Sequence, residues 1–187
     1  MNIPTLLTLL RIVLIPVFLV VFYLPIDSAR AWTALIFGLA AITDWLDGYL
    51  ARRLNQTSAL GAFLDPVADK LMVAMALVLL VQADPTPWLA IPAAVIVCRE
   101  IAVSALREWM AEIGARARVA VSAIGKFKTT AQMLAILLLL YQAPLGGFPT
   151  RVSGLILLYM AAGLTLWSMI VYIHAAWPAL RSGSNRN

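Results

Sequence analysis

Six times along this chain a run of about twenty mostly apolar residues is closed by a short cluster of turn-forming residues. The runs fall at Leu6–Leu24, Trp32–Ala51, Gly61–Val81, Trp88–Trp109, Gly125–Gln142 and Gly154–Trp177. The clusters between them are Pro25-Ile-Asp, Asn55-Gln-Thr-Ser, Asp84-Pro-Thr-Pro, Glu112-Ile-Gly and Pro144-Leu-Gly-Gly. A bilayer core about 30 Å thick takes about 20 helical residues to cross, so each run is one span long. The expected fold is all-α: one integral membrane domain over residues 1–187, a bundle of six transmembrane helices. Only 12% of the 187 residues are charged and 63% are hydrophobic. Soluble domains carry about 25% charged residues, so a separate soluble module has no place here.

The formal charge of +5 raises the question of nucleic acid, but the basic residues lie scattered between apolar runs. No exposed basic domain exists, and a nucleic-acid partner is excluded on that ground. Their positions read instead as topology signals. Arg52 and Arg53 follow the second run, and Arg107, Arg116, Arg118, Lys126 and Lys128 bracket the connection after the fourth. Arg181 and Arg186 lie in the tail, whereas the opposite connections hold only Arg30 and Arg151. Positive charge stays inside, which puts both termini in the cytoplasm. Trp32, Trp88, Trp109 and Trp177 sit near span ends, as interfacial anchors do. The single cysteine, Cys98, cannot form an internal disulfide and is expected as a small packed residue. The first residues lack the basic segment and cleavage site of a signal peptide, so they are expected to be mature structure.

Against this background the placement of aspartate stands out. Of six aspartates, Asp44, Asp47, Asp65 and Asp69 fall where the second run ends and the third begins, on the cytoplasmic side. Residues three and four apart share a helix face. Asp44, Asp47, Gly48 and Ala51 therefore make one stripe, and Gly61, Asp65 and Asp69 another. With a short loop between the two helices, the stripes are expected to face each other in an antiparallel pair. An aspartate at the centre of a membrane helix costs about 2.5–3.5 kcal/mol, and mutual repulsion adds to that. Divalent cations relieve both, because hard oxygen ligands suit Mg²⁺ or Mn²⁺, and two such ions can clamp a phosphoryl group for displacement. Gly48, Ala51 and Gly61 leave room for a ligand near the backbone. Either aspartate pair alone would read as a solvated helix cap. The rival for all four is a proton or cation path, although such paths distribute carboxylates through the membrane depth.

Written as a pattern, the stretch is D-x2-D-G-x2-A-R-x8-G-x3-D-x3-D, filled by Asp44, Asp47, Gly48, Ala51, Arg52, Gly61, Asp65 and Asp69. It resembles the signature of the CDP-alcohol phosphotransferases, six-helix membrane enzymes of phospholipid synthesis. N-I-P-T-L-L-T-L-L-R at the start, L-D-P-V-A-D-K after the third span begins, R-E-I, S-A-L-R-E-W-M-A and G-K-F-K-T-T-A-Q-M carry the likeness further, fading after about residue 135. These segments are similar to the bacterial branch whose donor is CDP-diacylglycerol and whose acceptor is glycerol 3-phosphate. Sister branches take inositol phosphate, serine or phosphatidylglycerol.

The resemblance implies that Asp44, Asp47, Asp65 and Asp69 bind two metal ions and the donor's pyrophosphate, with Asp69 also the general base. It implies that Gly48, Arg52 and Ser58 contact the CDP moiety, joined by the segment from Asn2 to Thr5. A homodimer in the bacterial inner (cytoplasmic) membrane is implied too. An acceptor bearing its own phosphate needs a second basic pocket, for which Arg107, Arg116, Arg118, Lys126 and Lys128 are the candidates. Lys126 leads through its G-K-x-K-T context. Arg99 and Glu100 lie deep in the fourth span; as neighbours about 100° apart they are not expected to pair closely, with Arg99 facing another helix. Arg11 is expected either to reach the carboxylates or to snorkel. Lys70 should point off the aspartate stripe, and His174 should be interfacial.

Overall fold

The structure, a computed structural model, describes residues 3–54, 59–112, 123–144 and 146–183; side chains are described for these except 3, 4, 47–52, 54, 59, 62, 123–126, 175, 176 and 178–183. Six helices follow one another: α1 (Ile3–Phe22), α2 (Ala29–Leu54), α3 (Ala59–Ala83), α4 (Pro87–Glu112), α5 (Ala123–Tyr141) and α6 (Thr150–Gly183). Each overlaps one of the six apolar runs. Among the described residues three segments are long and apolar enough by themselves to cross a membrane: Thr5–Phe22, Pro87–Glu112 and Thr150–His174. α5 offers a shorter apolar stretch, Phe127–Tyr141, while α2 and α3 carry the charged stretch at their joined ends. At about 1.5 Å per residue, the 34-residue α6 is about 50 Å long and outreaches the hydrocarbon core.

Local chemistry sets the helix ends. Pro87 occupies the first position of α4, where its missing N–H is no loss, and Thr86 accepts from the amides of Leu89 and Ala90. After α5 the chain turns through Gln142 at φ 54°, then Gly146 and Gly147 at φ 55° and 89°. Both glycines sit where a side chain would strain the backbone, which explains the Pro144-Leu-Gly-Gly signal.

α1 shows how the bundle sorts its residues. Leu6, Leu10, Val13, Val17 and Val20, spaced three and four apart, form an exposed apolar stripe, while Thr5, Thr8, Arg11, Ile15 and Phe18 are buried. Polar inside and apolar outside is the reverse of a water-soluble helix. In lipid, tails gain nothing by hiding leucine, so close packing and polar contacts hold helices together. The buried set is accordingly rich in alanine: Ala34, Ala40, Ala68, Ala76, Ala93, Ala131, Ala135, Ala161 and Ala162. Gly154 in α6 belongs with them, because a Cβ there would lie 2.8 Å from Leu139 Cγ and 3.2 Å from the Ala135 carbonyl. Gly154→Leu is expected to destabilise the α5–α6 contact by about 1–3 kcal/mol, read as a lowered thermal midpoint.

Around the bundle, α2 neighbours α1, α1 neighbours α3, α3 neighbours α4, α4 neighbours α6, α6 neighbours α5, and α5 returns to α2; α3 also touches α5 across the middle. Among the described residues α2 and α3 make few direct backbone contacts, yet Asp44 of α2 and Asp65 and Asp69 of α3 come together at one point beside α1. Two acidic faces repel, and α1 lies against both, supplying the positive charge they need. The expectation for Cys98 needs correcting, since it is exposed on the outer face of α4 rather than packed. Trp32, Trp88 and Trp177 are exposed near span ends, and His174 is exposed.

Candidate active site

The buried stripe Thr5, Thr8, Arg11 runs inward from the start of α1. Arg11 is 1% exposed, and a guanidinium so placed requires charged partners, since an unpaired one would be strongly destabilising. It finds three on one nitrogen. Arg11 Nη1 lies 3.0 Å from Asp44 Oδ1 on α2, 3.2 Å from Asp65 Oδ1 and 2.6 Å from Asp69 Oδ1 on α3. The snorkelling alternative for Arg11 is thereby set aside. All three aspartates keep about a third of their side-chain surface exposed, in the half of the bundle where α1 begins and α6 ends. By helical rise, Arg11, Asp44 and Asp69 lie about 12–15 Å below the helix ends. A small cleft of about 10 Å³, lined by Phe37, Ala40, Met72 and Met133 together with Arg11, Asp44 and Asp69, lies at this point, so α5 joins its wall.

Three carboxylates around one guanidinium leave excess negative charge. Their oxygens are hard donors crowded around a single point, and further positive charge would stabilise them. Among the described residues no three acidic or imidazole side chains form a metal cage by themselves. Asp47, which the signature adds to the set, has its backbone in α2 but its side chain lies outside the described residues, as does that of Arg52. The carboxylate oxygens of Asp44, Asp65 and Asp69 are of the hard donor type that Mg²⁺ or Mn²⁺ takes. Asn2, Ser58, Arg116 and Arg118 lie outside the described residues. Thr5 is buried on the face it shares with Arg11.

A second polar cluster joins α4, α5 and α6. Glu100 Oε1 accepts from Arg99 Nη1 at 2.9 Å and from Lys128 Nζ at 3.0 Å, while Arg99 Nη2 donates to Ser168 Oγ at 2.7 Å. Neighbours on a helix diverge by about 100°, which argued against an Arg99–Glu100 pair. Burial overrides it: Arg99 and Lys128 are each 7% exposed, water no longer competes, and both long side chains bend to one carboxylate. Arg99 does face another helix as expected. Arg107 donates to the Tyr172 hydroxyl and stacks over its ring with the guanidinium carbon 4.8 Å from the centroid. Arg99 lies over the same ring at 5.9 Å.

Of the five basic candidates for the acceptor phosphate, the structure thus brings Lys128 and Arg107 to one cluster. Lys126 lies in α5 two residues from Lys128, with its side chain outside the described residues. Tyr172 and Ser168 were not foreseen. The signal available was their spacing of four on α6, one face of a span otherwise read only as apolar. Lys70 donates to Ser104 Oγ on α4 at 2.6 Å, off the aspartate stripe.

The profile of the CDP-alcohol phosphatidyltransferase family matches residues 1–172. A Salmonella typhi protein named CDP-diacylglycerol–glycerol-3-phosphate 3-phosphatidyltransferase is 57% identical over 175 residues, covering 94% of each chain. Proteins of the same name from Haemophilus influenzae and Escherichia coli are 56% and 55% identical, with 94% of this chain covered and 93% and 94% of theirs. With a family profile spanning nearly its whole length and three carboxylates of the family signature, Asp44, Asp65 and Asp69, converging on one point, this chain belongs to the CDP-alcohol phosphatidyltransferase family.

Proposed function

We propose that this protein transfers the phosphatidyl group of CDP-diacylglycerol to sn-glycerol 3-phosphate, giving phosphatidylglycerophosphate and CMP. The observation that carries this reading is identity of 55–57% over 94% of the chain with relatives named for that reaction. The same reading places it in the bacterial inner membrane with both termini cytoplasmic, and the family resemblance supports a homodimer. Asp44, Asp47, Asp65 and Asp69 would hold two divalent ions, whose chemistry is to neutralise the donor's diphosphate charge.

The chain's own groups do the rest. Asp69, in the wall of the cleft, takes the proton of the acceptor hydroxyl. The freed oxygen bonds to the β-phosphorus of the donor. The bond from that phosphorus to the bridging oxygen breaks, and CMP departs with its electron pair. Arg11 fixes the carboxylates in place through their Oδ1 atoms, which sets the distance between base and donor before substrate arrives. Thr5, Gly48, Arg52, Ser58 and Asn2 hold the nucleotide end. The acceptor's phosphate is met by Lys126 with Arg107, Lys128 and the loop arginines Arg116 and Arg118, while Glu100 keeps Lys128 and Arg99 in position.

CMP release from CDP-diacylglycerol, measured with glycerol 3-phosphate, inositol phosphate, serine and phosphatidylglycerol as acceptors, tests the reading. Release is expected with Mg²⁺ and glycerol 3-phosphate and lost in excess chelator. Preference for another acceptor would make this a sister transferase, and no release with any would remove the enzymatic reading. Lys126→Ala is expected to raise the KM for glycerol 3-phosphate about 10- to 150-fold with a smaller change for the donor. An unchanged acceptor KM would move the pocket to Arg107 and Lys128.

A further inference from the structure

The end of the bundle opposite the carboxylates holds a cavity of about 170 Å³ lined by Phe22 of α1, Leu80 and Ala83 of α3, and Leu139 of α5, with Arg30 and Gln142 at its polar rim. The rim is unusual for its charge. Arg30 is exposed and donates to the side-chain oxygen of Gln142, and among the described residues it meets no carboxylate. Arg151, the other arginine of this face, is neutralised by Asp84 Oδ2, with Nη2 at 2.6 Å and Nε at 3.2 Å. Basic residues are disfavoured on this side of a membrane protein. Asp27 lies three residues before Arg30, but among the described residues no ion pair joins them, and an arginine that no carboxylate contacts, beside an apolar hole, suits an anion attached to hydrocarbon.

We propose that this cavity binds an anionic phospholipid of the facing leaflet, its phosphate on Arg30 and the start of one acyl chain between Phe22, Leu80 and Leu139. Charge complementarity selects the anion, and the apolar walls select a lipid over free phosphate. Gln142 spends its side-chain oxygen on Arg30, which leaves its NH₂ to donate to a phosphate oxygen. The site is independent of the transfer reaction and lies at the other end of the helices from Asp44 and Asp69.

The test titrates the purified full-length protein in neutral detergent with phosphatidylglycerol, phosphatidylcholine or inorganic phosphate, reading lipid binding by native mass spectrometry and the thermal midpoint. Phosphatidylglycerol is expected to bind more tightly and raise the midpoint more than phosphatidylcholine, with inorganic phosphate inert. Arg30→Gln should weaken phosphatidylglycerol about tenfold or more, as loss of one charge-assisted contact does, and weaken phosphatidylcholine less, because its choline cation already offsets the phosphate charge. Ala83→Leu, on an exposed position of the cavity wall, should lower binding of both lipids with the charge intact. Wild-type phosphatidylglycerol affinity in Arg30→Gln would overturn the site. Equal stabilisation by inorganic phosphate would overturn the lipid in favour of a free anion.

Discussion

Replacing Asp69 by Asn is expected to lower kcat about a hundred- to ten-thousand-fold, the range that a positioned general base contributes. The substitution keeps the side chain's shape and removes its ability to take a proton. Asp69 lies in the cleft wall with Asp44 and is gripped by Arg11 at 2.6 Å, so the amide will occupy nearly the same place. The KM for glycerol 3-phosphate should therefore change far less than kcat. Asp69 is also a candidate metal ligand, and a Mg²⁺ titration separates the two roles. A pure ligand defect recovers as Mg²⁺ rises, whereas a missing base does not. Near-normal kcat in Asp69→Asn would mean the proton leaves by another route.

The second large effect concerns stability. Arg11→Gln removes a guanidinium nitrogen that lies within 3.2 Å of three carboxylate oxygens. Removing one partner of a buried ion pair costs about 3–5 kcal/mol, and the lower end applies because the aspartates keep some exposure to water. Without divalent cations the thermal midpoint of the variant should fall steeply. If the cluster is a metal site, Mg²⁺ will substitute for the lost positive charge. The rise in midpoint on adding Mg²⁺ should then be larger in Arg11→Gln than in the wild type. An equal loss of stability with and without Mg²⁺ would show that the carboxylates do not take up the ion, and the metal assignment would fail.

Much of this was legible because it is local. Twenty apolar residues between turn-forming clusters specify a membrane helix wherever they occur, so all six helices could be read from the chain. Spacings of three and four put Asp44 with Asp47, and Asp65 with Asp69, on single faces, because helical periodicity needs no neighbours. The eight-residue signature pointed to the family for the same reason. What the chain could not reveal is which faces meet. A spacing fixes a residue's angle about its own helix axis, but the rotation of that helix and the choice of its neighbours depend on close packing among residues far apart in sequence. Hence α1, not α2 or α3 alone, completes the acidic cluster, and an arginine with two open readings became its centre. Burial decided the rest. It closed Arg99 and Lys128 onto Glu100 against the angular argument, brought Tyr172 and Ser168 of an apolar span into the basic cluster, and left Cys98 outside the core. Local sequence determined the elements and their polar faces; only the packed bundle, where water no longer competes for charge, decided which charges pair.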